Sequence, residues 1–407
     1  MNPPAPPSVL IQPPLAKVAG AARLGLVLSG GGARAAYQVG VLKAVAELLP
    51  RDAPLPFKVI SGTSAGGIIA AIVASHAAHF RCGVVSLERF WRNFHVDQVF
   101  RADSTSMLRA GLRWLLALVS GGALVSPPRS VFDNAPLRET LEMHVNFARI
   151  RQHLDSGYLD ALAINASAYH TALSVAFYAA AHEQAPWVHS WRHGRPAELG
   201  LDHLMAGAAV PFLFPAVCIE GDYYGDGAMR QLAPLSPAIN LGADRLLVVG
   251  VRAPEAIPRA PTAAGETIPR SHALTARPPS FGQIFGFMLD TLFMDGLQSD
   301  LERLERDNLL IGAAGAAGAA MGPLRRIEVL TITPRTDFGP IAQQHTDEVP
   351  RALRVLMRTM GAADASGRTL LSYLLFTGGF ARDLIALGYD DAMAKRAELQ
   401  ELLRSDP

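Results

Sequence analysis

The sequence is poor in cysteine and in charge. Its 407 residues include two cysteines, Cys82 and Cys218, too few for a disulfide framework and without the second ligand pair of a zinc ribbon. Both read as small buried thiols. Charged residues make up 18% of the chain and the formal net charge is +1. Such a chain has no long-range field to attract nucleic acid or strongly acidic partners, and nucleic-acid binding is set aside. Unbroken apolar runs of about 18 residues, the length of a spanning helix, are missing too. The nearest stretches, LRWLLALVSGGALV (112–125) and FGQIFGFMLDTLFM (281–294), are too short or are interrupted by Gly and Asp. They read as core helices, and a membrane would be met from one side only. The first 22 residues, MNPPAPPSVLIQPPLAKVAGAA, lack a basic start and a continuous apolar segment, so they read as a mobile Pro/Ala-rich tail rather than a signal peptide. From these absences the expected location is the cytoplasm, with reversible contact to a membrane surface left open.

Half of the residues are hydrophobic, and the length allows two or three average domains or one large α/β domain with appendages. The run LGLVL (24–28) ends in SGGG and is followed by AAYQVGVLKAVAELL, apolar at helical spacing. FKVI (57–60) leads into SGTSAGG and then IIAAIVASHAAHF, so a strand, glycine turn and helix occur twice. Further strands are predicted at 161–167, 174–181, 214–221, 245–251 and 325–334, giving a parallel or mixed sheet of about six or more strands with helices packed on it. Residues 253–280 are rich in Pro and Ala without periodicity and read as a long loop insertion. The stretch GAAGAAGAA (312–320) reads as a flexible connection. After Pro334 the pattern turns helical to the end of the chain.

The glycine turn admits two readings. Gly30, Gly32 and Ala35 satisfy the dinucleotide pattern G-x-G-x-x-A, and Asp52 lies 20 residues beyond Gly32. That acid should cap the second strand, whereas Asp52 precedes FKVI and the strand ends in a serine turn. In the other reading, side-chain-free residues at a helix start aim their backbone amides at one point where negative charge develops. In acyl transfer that point is the oxyanion, and one such donor contributes about 3 to 4 kcal/mol.

Ser64, flanked by Gly62 and Gly66 between a strand and a helix, fits a nucleophile elbow, whose small neighbours permit a strained turn. The amide of Ala65, next in the chain, is an added oxyanion donor on the same grounds. A serine hydroxyl needs a base. Downstream, EGDYYGDGAMR (220–230) places Asp226 between glycines after an apolar run. By itself an Asp-Gly pair is commonly a turn.

The three pieces GGGARAAYQVGVL, GTSAGG and DGA, in this order, resemble the patatin-like phospholipase family. MAGAAVPFLFPAV (205–217) is similar to that family's block ahead of its aspartate strand, and DNAPLRETL (133–141) to its Asn-x-Pro-Leu segment. The resemblance implies a three-layer α/β/α fold with a mainly parallel central sheet. Its catalytic domain would span 23–335, with a helical C-terminal extension at 336–407. It also implies a Ser-Asp dyad without histidine: Ser64 as nucleophile, Asp226 as general base, and an oxyanion hole from Gly30, Gly31 and Gly32 with Arg34 beside the loop. Where many members have Asp-Gly-Gly, this chain has Asp-Gly-Ala. The implied substrates are lipids and other fatty-acyl esters, cleaved through an acyl-serine intermediate by phospholipase A or lysophospholipase-type chemistry, with no metal or organic cofactor. A catalytically silent lipid-binding or scaffold protein and a dinucleotide-binding protein remain as alternatives.

An aspartate near its reference pKa of about 3.9 is a weak base at neutral pH, so the site is expected to desolvate Asp226 and activity to fall in mild acid. A triad would need a histidine after Asp226, which leaves His272 and His345. Both read as exposed or structural. The pairs His76/His79 and His189/His193 have helix-compatible spacing but no accompanying carboxylates or cysteines to make a metal site.

Overall fold

Alternation along the strands decides which helices cover each side of the sheet. In β1 (Leu24–Leu28), Leu24, Leu26 and Leu28 enter one apolar core and Val27 enters a second. In β3 (Ala161–Ala168), Leu162 and Ile164 face the first core, Ala161 and Ala163 the second. Strands covered on both faces read as continuous apolar runs, which is why these were visible in the sequence. The computed structural model describes residues 22–101, 112, 116, 119–120, 130–253, 278–314, 325–362 and 367–404. Most of 112–125, the insertion at 254–277 and the N-terminal tail lie outside them.

The remaining strands are β2 (Val59–Thr63), β4 (Ser174–Ala180), β5 (Trp187–His189), β6 (Arg192–Pro196), β7 (Val217–Ile219), β8 (Asp222–Asp226), β9 (Arg245–Val249) and β10 (Glu328–Ile332). They form one ten-stranded sheet ordered β10-β9-β1-β2-β3-β4-β6-β5, with β8 also paired to β3 and β7 to β8. The block from β10 to β3 is parallel; β4, β5, β7 and β8 add antiparallel pairings. From β1 the chain first builds β2 and β3 on one side and later returns to β9 on the other. The loop after β1 therefore sits where the strand order reverses, the usual ligand crevice of an open α/β sheet.

Helices α1 (Ala36–Leu48), α2 (Ala65–Ala74), α3 (Phe80–Arg92), α4 (Ala135–His144), α5 (Phe147–Asp155) and α6 (Leu201–Gly207) contribute to the first core. The second is covered by the segment around α7 (Ser236–Asn240) and by the far half of α8 (Phe281–Ala314), through Leu297, Leu301 and Leu304. Helices on both faces make this a three-layer α/β/α fold. The near half of α8 places Phe285, Leu289 and Phe293 in the first core, so this one helix, about 50 Å long at 1.5 Å per residue, passes from one layer to the other.

The chain continues through α9 (Phe338–Gln344), α10 (Arg351–Thr359), α11 (Arg368–Leu374), α12 (Gly378–Ala394) and α13 (Arg396–Leu403). These helices share the first core through Leu353, Leu371, Phe380, Leu384 and Leu399. Buried Asp391 on α12 accepts from the Tyr37 hydroxyl at 3.0 Å and pairs with Arg335 at 2.5 Å, tying α12 to α1 and to the segment after β10. Among the described residues no single helix is long and apolar enough to cross a membrane.

Two short strands, β6 (RHGRP) and β8 (DYYGD), lie where the sequence has polar residues instead of an apolar run; pairing with neighbours, not hydrophobicity, makes them strands. Both cysteines are exposed, contrary to expectation: Cys82 on the outer face of α3 and Cys218 on the short β7.

The α1–α12 contact depends on two glycines that let the backbones meet. A Cβ at Gly40 would stand 2.0 Å from the Ile385 carbonyl oxygen, and one at Gly388 would stand 2.1 Å from that of Tyr37. Overpacking of this kind costs about 1 to 3 kcal/mol or more. Gly388→Val should therefore lower the thermal midpoint by several degrees, and an unchanged midpoint in a melting experiment would show that the two helices can separate freely.

Candidate active site

The turn from β2 into α2 is built around one strained residue. Ser64 has φ 54° and ψ −129°, a region that L-residues avoid and that costs of order 1 to 3 kcal/mol. The strain sets the side chain at the start of α2, off the end of the strand. The chain can turn so sharply because its neighbours are small: a Cβ at Gly66 would lie 2.5 Å from the Leu28 carbonyl oxygen. Ser64 is 5% exposed.

Asp226 reaches the same place through β3. Along one edge of β3, Thr63 of β2 pairs with Asn165, and Asp226 of β8 pairs with the next residue, Ala166. β8 thus takes over where β2 ends, and Ser64 and Asp226 are brought together by adjacent rungs of one ladder. Asn165 fastens the junction: its Nδ2 donates to Ser61 Oγ, Gly62 O and Thr63 Oγ1 at 3.2, 3.1 and 3.0 Å. The Asp226 amide donates to Ala209 O at 2.9 Å, which makes the 205–217 segment a support for the aspartate.

Asp226 is 1% exposed. Burial pushes its carboxyl up to about 7, against smaller opposing pulls from the Ser64 hydroxyl and the Ala228 amide. The Ala228 amide donates to Oδ1 at 2.9 Å. Oδ2 has no well-aligned donor, so Ser64 and Asp226 are within electrostatic reach without a closed hydrogen bond. Catalytic hydrogen bonds are commonly this loose until substrate binds. Chemically, the pair is an alcohol beside a carboxylate made more basic by desolvation.

The glycine turn lies against this pair. A Cβ at Gly30 would stand 3.1 Å from Ser64 Cβ and 2.6 Å from the Phe293 ring, and Gly32 adopts φ 54°. The amides of Gly30, Gly31, Gly32 and Ala65 donate to no other group among the described residues. Unengaged backbone amides next to a serine are the kind of donor that can receive an oxyanion. Arg34 is turned elsewhere: its Nε donates to Ser372 Oγ at 2.8 Å and its guanidinium pairs with Asp290 at 3.1 Å. As placed, Arg34 anchors the loop, while backbone amides stand beside Ser64.

Ser64, Ala65 and Gly32 open onto a narrow cavity of about 50 Å³ whose other walls are almost wholly apolar. Phe90, Trp91 and Phe94 come from α3, Leu137 from α4, and Val210, Leu213 and Phe214 from the segment ahead of β7. Leu289 and Phe293 of the 281–294 stretch form one wall; Tyr373, Leu374 and Phe376 form another. Tyr373–Phe376 and the supporting residue Asn165 were not singled out by sequence. They carry no motif, and chain distance hides their proximity; Ala209 lies in the 205–217 block that the sequence did mark.

His345 stands between Glu348 and Asp383, each 2.7 Å from a ring nitrogen, and among the described residues no histidine is bonded to Ser64 or Asp226. His272 lies outside the described residues. Asp52 occupies an exposed turn ahead of β2, away from where a ribose-binding acid would stand. Among the described residues no group of three or more His, Cys, Asp or Glu is placed to hold a metal ion.

The shifted Asp226 carboxyl has a consequence for stability. Unfolded, it ionises near 3.9; folded, near 7. Between these values folding takes up a proton, so stability falls as pH rises, and above about 7 the buried charge carries its full penalty, on the order of 4 kcal/mol. Asp226→Asn should raise the thermal midpoint clearly at pH 8 and hardly at pH 4.5. A gain that does not depend on pH would mean that Asp226 is not shifted.

A 54-residue segment is 43% identical to lysophospholipase NTE1 of Chaetomium globosum, a match covering 13% of this chain and 3% of that protein's length. Among solved structures, VipD from Legionella pneumophila aligns over 84% of this chain and 67% of its own, with a TM-score of 0.30 and 12% identity. The model of the family described as patatin-like phospholipase matches residues 26–239, just over half of the 407, and the chain belongs to that family.

Proposed function

We propose that this protein is a serine lipid acyl hydrolase of the phospholipase A or lysophospholipase type, acting through Ser64 and Asp226. The observation that carries the reading is a buried serine–aspartate pair, the aspartate shifted to about 7, at the head of an apolar cavity. In the proposed cycle Asp226 takes the Ser64 proton as Oγ attacks the ester carbonyl, and the oxygen that becomes negative is received by the amides of Gly30, Gly31, Gly32 and Ala65. Collapse of the tetrahedral species passes the proton from Asp226 to the departing alcohol and leaves an acyl-serine. Asp226 then deprotonates a water molecule that attacks the acyl carbonyl, and the fatty acid leaves as Ser64 recovers its proton.

The apolar cavity suits a fatty-acyl chain, which gains about 0.8 kcal/mol for each buried methylene. The chain's supply is proposed to be a lipid surface touched reversibly. On α8, Leu289 and Phe293 line the cavity while Phe281 (62% exposed), Ile284 and Phe287 (73%) point to solvent. Phe212, 68% exposed at φ 65°, projects between the cavity residues Val210 and Leu213. A helix that is apolar on both sides next to an apolar cavity fits a face laid on a bilayer.

The chemical test is intact-mass labelling with a fluorophosphonate lipid analogue. Wild type should gain one adduct, mapped to Ser64, while Ser64→Ala gains none and Asp226→Asn reacts at least about 10³-fold more slowly. The labelling rate should fall about tenfold per pH unit below about 7 and level off above it. No adduct, with and without liposomes, in a folded sample would instead support a silent lipid-binding protein. For the surface, Phe281→Ser combined with Phe287→Ser should cut sedimentation with phosphatidylcholine vesicles several-fold without changing hydrolysis of a soluble short-chain ester. Unchanged sedimentation would remove this face from the proposal.

A further inference from the structure

An oxyanion loop has a mechanical difficulty: amides that must stay free for the reaction cannot hold the loop in place. In this chain the amides of Gly30, Gly31 and Gly32 donate to no protein group among the described residues. The loop is fixed by other means. On one side Gln38 Nε2 donates to Ser29 O at 2.8 Å. On the other stands Arg34, 3% exposed, whose partners all come from residues far beyond those the family model matches.

Those partners, with Thr369 O at 3.5 Å among them, are linked to one another. The Arg34 guanidinium pairs with Asp290 Oδ1 at 3.1 Å, donates through Nε to Ser372 Oγ at 2.8 Å, and lies 3.9 Å from the centre of the Tyr373 ring. The Tyr373 hydroxyl donates to the same Asp290 oxygen at 2.8 Å, and burial pushes that phenol far above its ordinary range, so it stays a donor. Tyr373 stacks on Phe293 with ring centroids 5.3 Å apart. Both residues also touch the loop: a Cβ at Gly32 would stand 2.5 Å from Tyr373 O, and one at Gly30 would stand 2.6 Å from Phe293.

We propose that Asp290 on α8 and Tyr373 on α11 are positioning residues of the active site, which set the glycine loop for the oxyanion by clasping Arg34. The proposal rests on the acyl-hydrolase reading and adds to it two polar groups, the Asp290 carboxylate and the Tyr373 hydroxyl, to which that reading gives no role. The Asp290 carboxylate and the Tyr373 hydroxyl act through Arg34 and touch no reacting atom.

The experiment separates oxyanion binding from chain binding. A fatty-acyl trifluoromethyl ketone, which adds Ser64 and places an oxyanion in the hole, is compared with the alcohol of equal chain length, which places none. In full-length Asp290→Asn and Tyr373→Phe, ketone inhibition should weaken about tenfold or more, with the alcohol changed less than about twofold. kcat should fall in step with KM held, and Asp290→Glu should recover part of the loss. Tyr373→Phe keeps the ring that lines the cavity and serves as the test if Asp290→Asn does not fold. Equal weakening of both ligands, or no weakening of either, in a folded variant overturns the clasp. If the wild type binds the ketone no better than the alcohol, the hydrolase reading falls and the clasp falls with it.

Discussion

The site depends on the register of one strand edge. Strand β3 pairs with β2 as far as Asn165 and with β8 from Ala166 onward, so two segments more than 150 residues apart in sequence end at adjacent rungs. A one-residue slip of β3 would move every side chain to the opposite face of the sheet, exchanging the large residues of one core, Leu162 and Ile164, with the small ones of the other, Ala161 and Ala163. β3 is buried throughout its length. The distance between Ser64 and Asp226 is therefore set by the core rather than by loops, which suits a pair that must stay in reach of one another.

Around that register, unfavourable terms are concentrated. Ser64 is held at a backbone conformation that serine avoids, and Asp226 is denied water, with one oxygen lacking a well-aligned partner. Neither would persist in a region free to relax. Buried strands on either side, the Asn165 amide across the end of β2 and the Ala209 carbonyl under Asp226 hold them in place. The same desolvation that weakens the fold at neutral pH makes Asp226 more basic, so lower stability and greater basicity have one physical origin.

Sequence revealed those parts whose chemistry is local. Glycines around Ser64 and after Leu28 mark turns that larger residues cannot make, and the apolar runs of β1, β3 and β9 mark strands covered on both faces. The hydrophobic pattern could not reveal β8, because DYYGD takes its strand form from pairing with β3. Arg34 was visible as a basic residue beside the glycine turn, but not the direction of its side chain, which depends on Asp290 and Ser372, hundreds of residues away. The 281–294 stretch looked like a core helix or a lipid contact. It is a helix at the rim of the cavity with two apolar faces, an inner one through Leu289 and Phe293 and an exposed one through Phe281, Ile284 and Phe287.

A helical tail stacked on a finished domain would touch its outside. Here α12 meets α1 at a glycine-to-backbone contact, α11 supplies cavity wall through Tyr373 and Leu374, and α8 runs from that wall to the opposite face of the sheet. The glycine loop lies between these helices and Ser64, and its amides are not spent on its own support. Whatever holds such a loop must come from side chains and from packing over it, and in this protein much of both arrives from residues after 280. The cavity and the loop are thus closed by the same helices.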